Sequence, residues 1–306
     1  RFAFMNLEGY TPGEIKAEDL QTEDRWILSR LATTAQQVTT MLERYHFDQA
    51  TRTIRDFTWN EFCDWYVEML KPRLRDAEAR PLAQRMLVVV IDNLLRLLHP
   101  FAPFITEELW QKLNELAAVR GLNEQTAASE NVMVADWPNL GEDLISEELE
   151  SRFDRLQQTV VAVRNVRAHY KISPKEPLKL FMKCSPEVAE QMQAVADQFD
   201  NLAKTMLEAA GLDITPPSGA ANFSLKDADG YIPLEGLVDN SAETAKLEKQ
   251  KLELEKQIAG SEAKLSSPNF VGKAPVHVVE AFRQTLAERK AQLENVERML
   301  AELGKA

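Results

Sequence analysis

Two apolar seams near the C-terminal end leave this chain little choice of architecture there. Val279, Phe282, Leu286, Arg289, Leu293, Val296, Leu300 and Leu303 step 3-4-3-4 without a break, and Leu247, Leu254, Ile258 and Leu265 step by sevens and fours. A seam repeating every 3.5 residues on average is coiled-coil packing. Between the seams, residues 266–275 (SSPNFVGKAP) carry turn residues and two prolines. The arms are therefore expected to fold back as an antiparallel helical hairpin. At 1.5 Å rise per residue, about 26 residues per arm give roughly 40 Å of reach. Such a hairpin holds little core of its own and projects toward a partner. Its one seam cation, Arg289, costs stability unless it pairs or snorkels. The other lysines and arginines of the arm are interleaved with glutamates at helical spacing, which by itself is ordinary surface pairing.

The body before the arm reads as helical. Residues 57–74 (FTWNEFCDWYVEMLKPRL) crowd five aromatics into one helix. Phe57, Phe62 and Trp65 are expected in the core. Glu61, Asp64, Glu68 and Lys71 stand three and four apart and line one helical edge. That edge, with Asp64, Val67, Glu68 and Lys71, is mixed and exposed, and Arg1 and Phe2 at a preceding helix end are placed to face it. A ring beside a guanidinium is a platform for an unstacked base. Pro72 demands a kink or a restart. A helix over 26–45 shows periodicity through Ile27, Leu31, Val38, Leu42 and Tyr45, with Thr22 as its cap. Phe47 or Asp48 opens the next helix, and a strongly apolar one follows over 81–98. Two prolines (HPFAPFITEELW) then lead to a short helix capped by Thr106. Residues 143–170 form another helix, 177–184 alternate as a strand, 187–210 read as a helix ending at Gly211, and 212–238 hold two or three short strands. The expected fold is mainly α: a helical bundle over 1–138, a small α/β module over 139–239, and the coiled-coil arm over 240–306.

Composition narrows the chemistry. Cys63 and Cys184 lie far apart in apolar surroundings, and the four histidines show no ligand spacing; the pattern gives neither a disulfide nor a metal site. No apolar run approaches the roughly 20 residues that span a bilayer, and no signal-peptide pattern is present. The expected setting is a reducing one, the cytoplasm. No Gly-rich phosphate loop or nucleophile elbow stands out. A net charge of −12 taken alone disfavours a polyanion, but charge on one face decides that question. Residues 152–183 carry eight Lys/Arg against Asp154 and Glu176. Phosphate contact by Arg164, Arg167 and Lys171 is weighed there against a solvated face.

Three segments together carry a family resemblance. WNEFCDWYVEMLKPRL followed by HPFAPFITEELW is similar to the helical anticodon-binding domain of class I valyl-, isoleucyl- and leucyl-tRNA synthetases. RNVRAHYKISPKEPLKLF resembles the segment that follows it in the valyl and isoleucyl enzymes. KLSSPNFVGKAPVHVVE, at the bend of the hairpin, resembles the C-terminal arm of the valyl enzymes. The likeness covers essentially the whole chain. HIGH and KMSKS signatures are missing, and KISPK at 171–175 does not fit the second. Arg1-Phe2 looks like the end of a helix leading out of a catalytic half. The resemblance implies that the bundle grips the anticodon stem-loop of valine tRNA, with Phe2 stacking on a middle anticodon base and Val67 packing nearby. The hairpin would lean on the outer tRNA corner through basic residues such as Lys264, Arg283 and Arg289. The parent enzyme would join valine to its tRNA with ATP; this monomeric portion, partnered by the catalytic domain of the same chain, would need no cofactor and do neither step. A competing reading is a protein-interaction module whose arm zips onto a partner helix. A third, catalysis by this portion alone, predicts ATP–pyrophosphate exchange.

Overall fold

A computed structural model describes residues 1–237, 241–266 and 276–303, excepting the side chains of 241–247, 276–279, 281, 291, 294–295 and 298–303. The chain forms two compact units, residues 1–161 with 190–206 and residues 162–189 with 207–306.

The first unit is a helical bundle. Its helices are α1 (Phe2–Asn6), α2 (Thr22–Glu43), α3 (Phe47–Asp56), α4 (Val67–Arg75), α5 (Arg80–Leu98) and α6 (Pro103–Leu116). A two-stranded hairpin follows, β1 (Val119–Arg120) with β2 (Thr126–Ala127). Then comes α7 (Glu147–His169), whose first part belongs to this unit. The apolar periodicity reads out directly as burial: Ile27, Leu31 and Val38 of α2 and Met86, Val90 and Leu97 of α5 are closed to water. Phe153 of α7 stacks on Trp26 of α2 at 4.8 Å between centroids. The start of α2 is a capping box around Gln21 and Asp24, not a Thr22 cap. Asp24 offers a carboxylate three positions into the helix, where the dipole favours it.

Tyr45 does not extend the α2 stripe. It sits past the helix end at φ 60° and is 79% exposed. His46 N–H reaches Met41 O at 2.8 Å and Tyr45 N–H reaches Leu42 O at 3.0 Å. That is a Schellman closure with a tyrosine in the left-handed position usually given to glycine. Helix α6 begins at Pro103 rather than behind a Thr106 cap. Thr106 lies inside it, its hydroxyl donating to Ala102 O at 2.8 Å.

The aromatic stretch is helical, but its first ten residues, Phe57–Tyr66, are π-helical. Five-residue hydrogen bonding widens the turn and moves the faces. The buried residues are Phe57, Phe62 and Tyr66, stepping five and four instead of three and four. Trp65, expected in the core, is half-buried, and Trp59 is 63% exposed. Pro72 is carried inside α4. It offers no N–H to Glu68 O four residues back, and Asn201 Nδ2 donates to that carbonyl instead, at 3.4 Å.

Between 186 and 211 the expected single helix is α8 (Pro186–Gln193), α9 (Ala196–Ala203) and a strand, β4 (Thr205–Gly211). Lys204, at φ 49°, ends α9. Thr205 and Leu207 are buried while Met206 and Glu208 face water, so the period has become two.

The second unit holds the end of α7, a sheet and the arm. Strands β3 (Leu178–Cys184), β5 (Ala220–Ser224) and β6 (Ala228–Pro233) join β4 in the order β4-β3-β6-β5. β3 and β5 both pair antiparallel with β6. Two long helices, α10 (Ser241–Ser266) and α11 (Val276–Leu303), pack on each other. Leu254, Ile258 and Val296 are buried along the seam. Lys251 pairs with Glu297 at 2.7 Å and Glu262 with Lys290 at 2.6 Å. The pairings run in opposite directions along the two helices, which makes the arm antiparallel. The proline-rich bend at 267–275 and the seam side chains of Leu247, Val279, Leu300 and Leu303 lie outside the described residues.

Candidate nucleic-acid interface

Phe2 opens α1, and the Lys71 ammonium stands 5.8 Å from the centroid of its ring. Lys71 also donates to the Glu68 carboxylate one turn back. Asp64 is exposed, and Val67 and Glu68 are half-buried. The structure therefore brings together the ring and the edge that were separated by more than sixty residues of sequence. A cation within about 6 Å of a ring centroid is attracted to the ring, and a ring with a cation beside it offers a nucleotide both a stacking surface and a phosphate partner. Arg1, next to Phe2, is exposed.

Side chains of α5 that the sequence did not single out hold this corner in place. Gln84 Nε2 donates to Asn6 O at 2.7 Å and to Glu8 O at 3.1 Å, and Arg80 reaches the same two carbonyls at 3.4 and 3.3 Å. Arg85 donates to Thr11 O and Glu14 O, both at 3.2 Å. The chain after α1 has no ladder of its own, so these donors satisfy carbonyls that would otherwise need water. The signal was faint: three long polar residues in the first turns of an otherwise apolar helix.

From the other side, Glu61 turns away from the edge and forms a two-pronged pair with Arg30 at 2.7 and 3.0 Å, which also holds Glu150 at 2.8 Å. Hydrogen bonding to Glu61 chiefly, against the cost of burial, raises the Arg30 pKa. Cys63, beside the edge, has its thiol pKa raised by burial and then by the Asp64 carboxylate, so it stays a neutral thiol near pH 7.

The basic stretch is divided in its uses. Arg152 pairs with Glu148 at 3.1 Å and Arg155 donates to Gln191 at 2.6 Å. Arg164 and Lys171 are exposed. Arg167 is not on the surface: it is 6% exposed and donates to Ser173 O at 2.9 Å and Glu176 O at 2.7 Å. Burial lowers its pKa. Its guanidinium builds the turn that carries Lys171 and Lys175 instead of facing a phosphate. Lys171 occupies a left-handed position, φ 55°, in a second Schellman closure, with Ile172 N–H to Arg167 O at 2.9 Å.

On the arm, Lys264 Nζ lies 5.6 Å from the Phe282 ring centroid and Arg283 is exposed. Arg289, the seam cation, donates to the buried Ser261 hydroxyl at 2.9 Å, and Ser261 donates in turn to Gln257 O at 2.8 Å. A small polar residue on the facing helix thus receives the charge. Among the described residues no cluster of three His, Cys, Asp or Glu is placed to hold a metal, and no helix is long and apolar enough to cross a membrane.

A helical bundle presenting a ring-and-cation corner is a surface suited to an unpaired base. The family model described as the anticodon-binding domain of tRNA ligase matches residues 24–182, and the chain belongs to that family. A second model, the valyl tRNA synthetase tRNA binding arm, matches residues 239–304. In sequence, an anticodon-binding domain is thus followed by a segment similar to the tRNA binding arm of valyl tRNA synthetases. A valine–tRNA ligase of Rhodopirellula baltica is 40% identical over 97% of this chain and 29% of its own length. Those of Thermotoga maritima and Thermosynechococcus vestitus are 39% and 37% identical, each over 99% of this chain and 33% of their own length. The chain thus spans about a third of the length of the relatives it matches. A solved LeuRS–tRNA–LeuAMS complex from Agrobacterium radiobacter, 27% identical, covers 47% of this chain and 15% of that one at a TM-score of 0.31.

Proposed function

We propose that this chain binds valine tRNA at two places for an enzyme that joins valine to it. The bundle takes the anticodon loop, with one unstacked base laid on Phe2 and its backbone steered by Arg1 and Lys71. Asp64 and Glu68 offer acceptors to base amino groups, and Val67 packs against the same base. The arm takes the outer corner of the tRNA through Lys264, Arg283 and Arg289, and Arg164 and Lys171 add phosphate contacts. Valine activation with ATP belongs to the rest of the enzyme, in the cytoplasm; this portion works as a monomer without a cofactor of its own. The observation that carries the reading is the Phe2 ring with Lys71 beside it, in a bundle matched by the anticodon-binding family.

The test is filter binding of the 306-residue chain to a valine tRNA transcript over a salt series, with footprinting. Tight binding with a steep log–log salt slope, and protection at the anticodon loop and the tRNA corner, is the expected result. Indifference to tRNA, or a footprint at neither place, removes the proposal.

A further inference from the structure

We infer that the open face of the four-stranded sheet is a second platform for unpaired RNA bases, built on Phe181 and Tyr231. The inference rests on the reading that this chain binds tRNA. It concerns neither the Phe2 corner nor the arm.

The sheet has two unlike faces. Along β3 the residues alternate without exception: Leu178, Leu180, Met182 and Cys184 are buried, while Lys179 and Lys183 are exposed and Phe181 between them is half-buried. Along β6, Ala228, Gly230 and Ile232 are buried, while Asp229, Tyr231 and Pro233 are half-buried. Side chains two apart share a face, so Phe181 and Tyr231 lie on the side away from the core. They are also direct partners in the antiparallel register, Phe181 opposite Tyr231, where Cβ atoms stand about 5 Å apart. The inner side shows why the aromatics are not simply spare core. Phe223 fills it over Gly230, and a Cβ at Gly230 would come within 2.1 Å of that ring. Phe223, itself half-buried, occupies the inner side there, and two further rings lie on the opposite face of the two central strands.

The groups around the rings suit a nucleotide. Lys179 and Lys183 flank Phe181 on its own strand and face. Lys179 meets Glu208 at 3.2 Å, and Asp229 accepts from the Ser224 hydroxyl at 2.7 Å, so both carboxylates on the face are engaged. Lys183 and the Tyr231 hydroxyl make no hydrogen bond or ion pair among the described residues. Asn222, opposite Tyr231 on β5, is exposed. Lys171 and Lys175 sit in the exposed turn that leads into β3. Two rings at facing register positions on the middle strands of an open sheet, with cations beside them, can take the faces of unpaired bases while the cations meet phosphates. A double helix offers no free base faces, so the occupant is an unpaired segment of tRNA.

The test uses the 306-residue chain with valine tRNA, filter binding and nucleotide-resolution footprinting. The double substitution Phe181→Leu with Tyr231→Leu keeps apolar bulk and removes both rings; it should weaken binding about tenfold, the scale of one or two base stacks. It should also abolish protection of an unpaired segment other than the one lost with Phe2→Ala. Phe181→Tyr, which keeps a ring, should bind as the unaltered chain does. If the double variant proves unfolded by circular dichroism, Lys183→Gln decides, with an expected fall in the log–log salt slope of roughly one. Wild-type affinity and footprint in the folded double variant, or an unchanged slope in Lys183→Gln, overturns the platform while leaving the anticodon reading in place. Failure of the unaltered chain to bind tRNA overturns both.

Discussion

The Tyr66 hydroxyl donates to an Asp24 carboxylate oxygen at 2.7 Å, with both side chains out of reach of water. Arg73 binds the same carboxylate at 2.8 Å, and the Gln21 N–H closes the capping box on it at 3.1 Å. One buried carboxylate therefore fastens the start of α2, the end of the π-helical stretch and the last turn of α4. The widened turn is what delivers Tyr66 to it.

Tyr66→Phe tests this node. Asp24 keeps Arg73, so the expected loss is one buried hydrogen bond, about 1–3 kcal/mol at pH 8. Burial first, and then the Asp24 charge, raise the Tyr66 pKa well above 10. The unfolded chain loses that proton near pH 10 and the folded chain holds it, so the folded state binds more protons and stability falls as pH rises past 10. The slope is about 1.4 kcal/mol per pH unit for one proton. Phenylalanine has no such slope. Urea unfolding at pH 8 and pH 11 should therefore show the gap between the two proteins narrowing at the higher pH. Equal gaps would mean that Tyr66 is not the group that titrates.

The helices of the body were legible because burial follows a 3.6-residue period there, as along Ile27, Leu31 and Val38, and β3 was legible because its alternation is unbroken. The π-helical stretch was not, because a change of period from 3.6 to about 4.4 leaves no mark in composition. It brought Tyr66 into the core and left Trp65, expected there, half-buried. Strand β4 was missed for a related reason: Met206, Leu207, Glu208, Ala209 and Ala210 are all comfortable in helices, and tertiary pairing with β3 overrides that preference. That Phe2 faces the edge of Asp64, Val67, Glu68 and Lys71 was anticipated from residue types, but the cation at the ring is Lys71 and not the expected guanidinium. Arg167 was misplaced because its partners are backbone carbonyls, which the sequence does not display.

Arg120 supplies a second stability test. It is 3% exposed, donates to Asp92 at 2.6 Å, Asn114 Oδ1 at 2.8 Å and Ala117 O at 2.7 Å, and its guanidinium lies 4.4 Å from the Trp110 ring centroid. Arg120→Ala leaves Asp92 with Arg96 alone, at 2.8 Å. The expected cost is about 3 kcal/mol, mostly from the stranded carboxylate and carbonyl. Adding Asp92→Asn should recover part of it, since the buried charge is then gone. Denaturant melts of the three proteins decide; a double variant no better than the single one would show that packing on Trp110 is what Arg120 provides.

Phe2→Ala isolates the stacking role. The side chain is half-buried at the head of a five-residue helix, and that helix is anchored by Gln84 and Arg80 through backbone carbonyls. Truncating the ring leaves those bonds intact, so folding should change little. Binding of valine tRNA should weaken by about 1–3 kcal/mol if one base stacks on the ring. Lys71→Gln should cost less, because the amide keeps a donor near the ring and loses only charge. Filter binding at fixed salt measures both, and unchanged affinity in Phe2→Ala would exclude the stack.

Arg289 sets stability against binding within one side chain. In the α10–α11 seam Leu254, Ile258 and Val296 are buried, yet Arg289 is half-buried and, among the described residues, donates to a single hydroxyl, that of Ser261. A leucine at that step would continue the apolar seam. Arg289→Leu should therefore stabilise the arm, by roughly 0.5–2 kcal/mol, the range for removing such a compromise, although Ser261 then loses a partner and keeps Gln257. If the arginine is retained for a tRNA phosphate, the same substitution should weaken tRNA binding and lower the log–log salt slope by roughly one. Helical melting by circular dichroism and filter binding across salt read the two effects separately. Stabilisation with unaltered tRNA affinity would assign Arg289 to the specificity of helix pairing, and destabilisation would show that the Ser261 bond outweighs the apolar alternative.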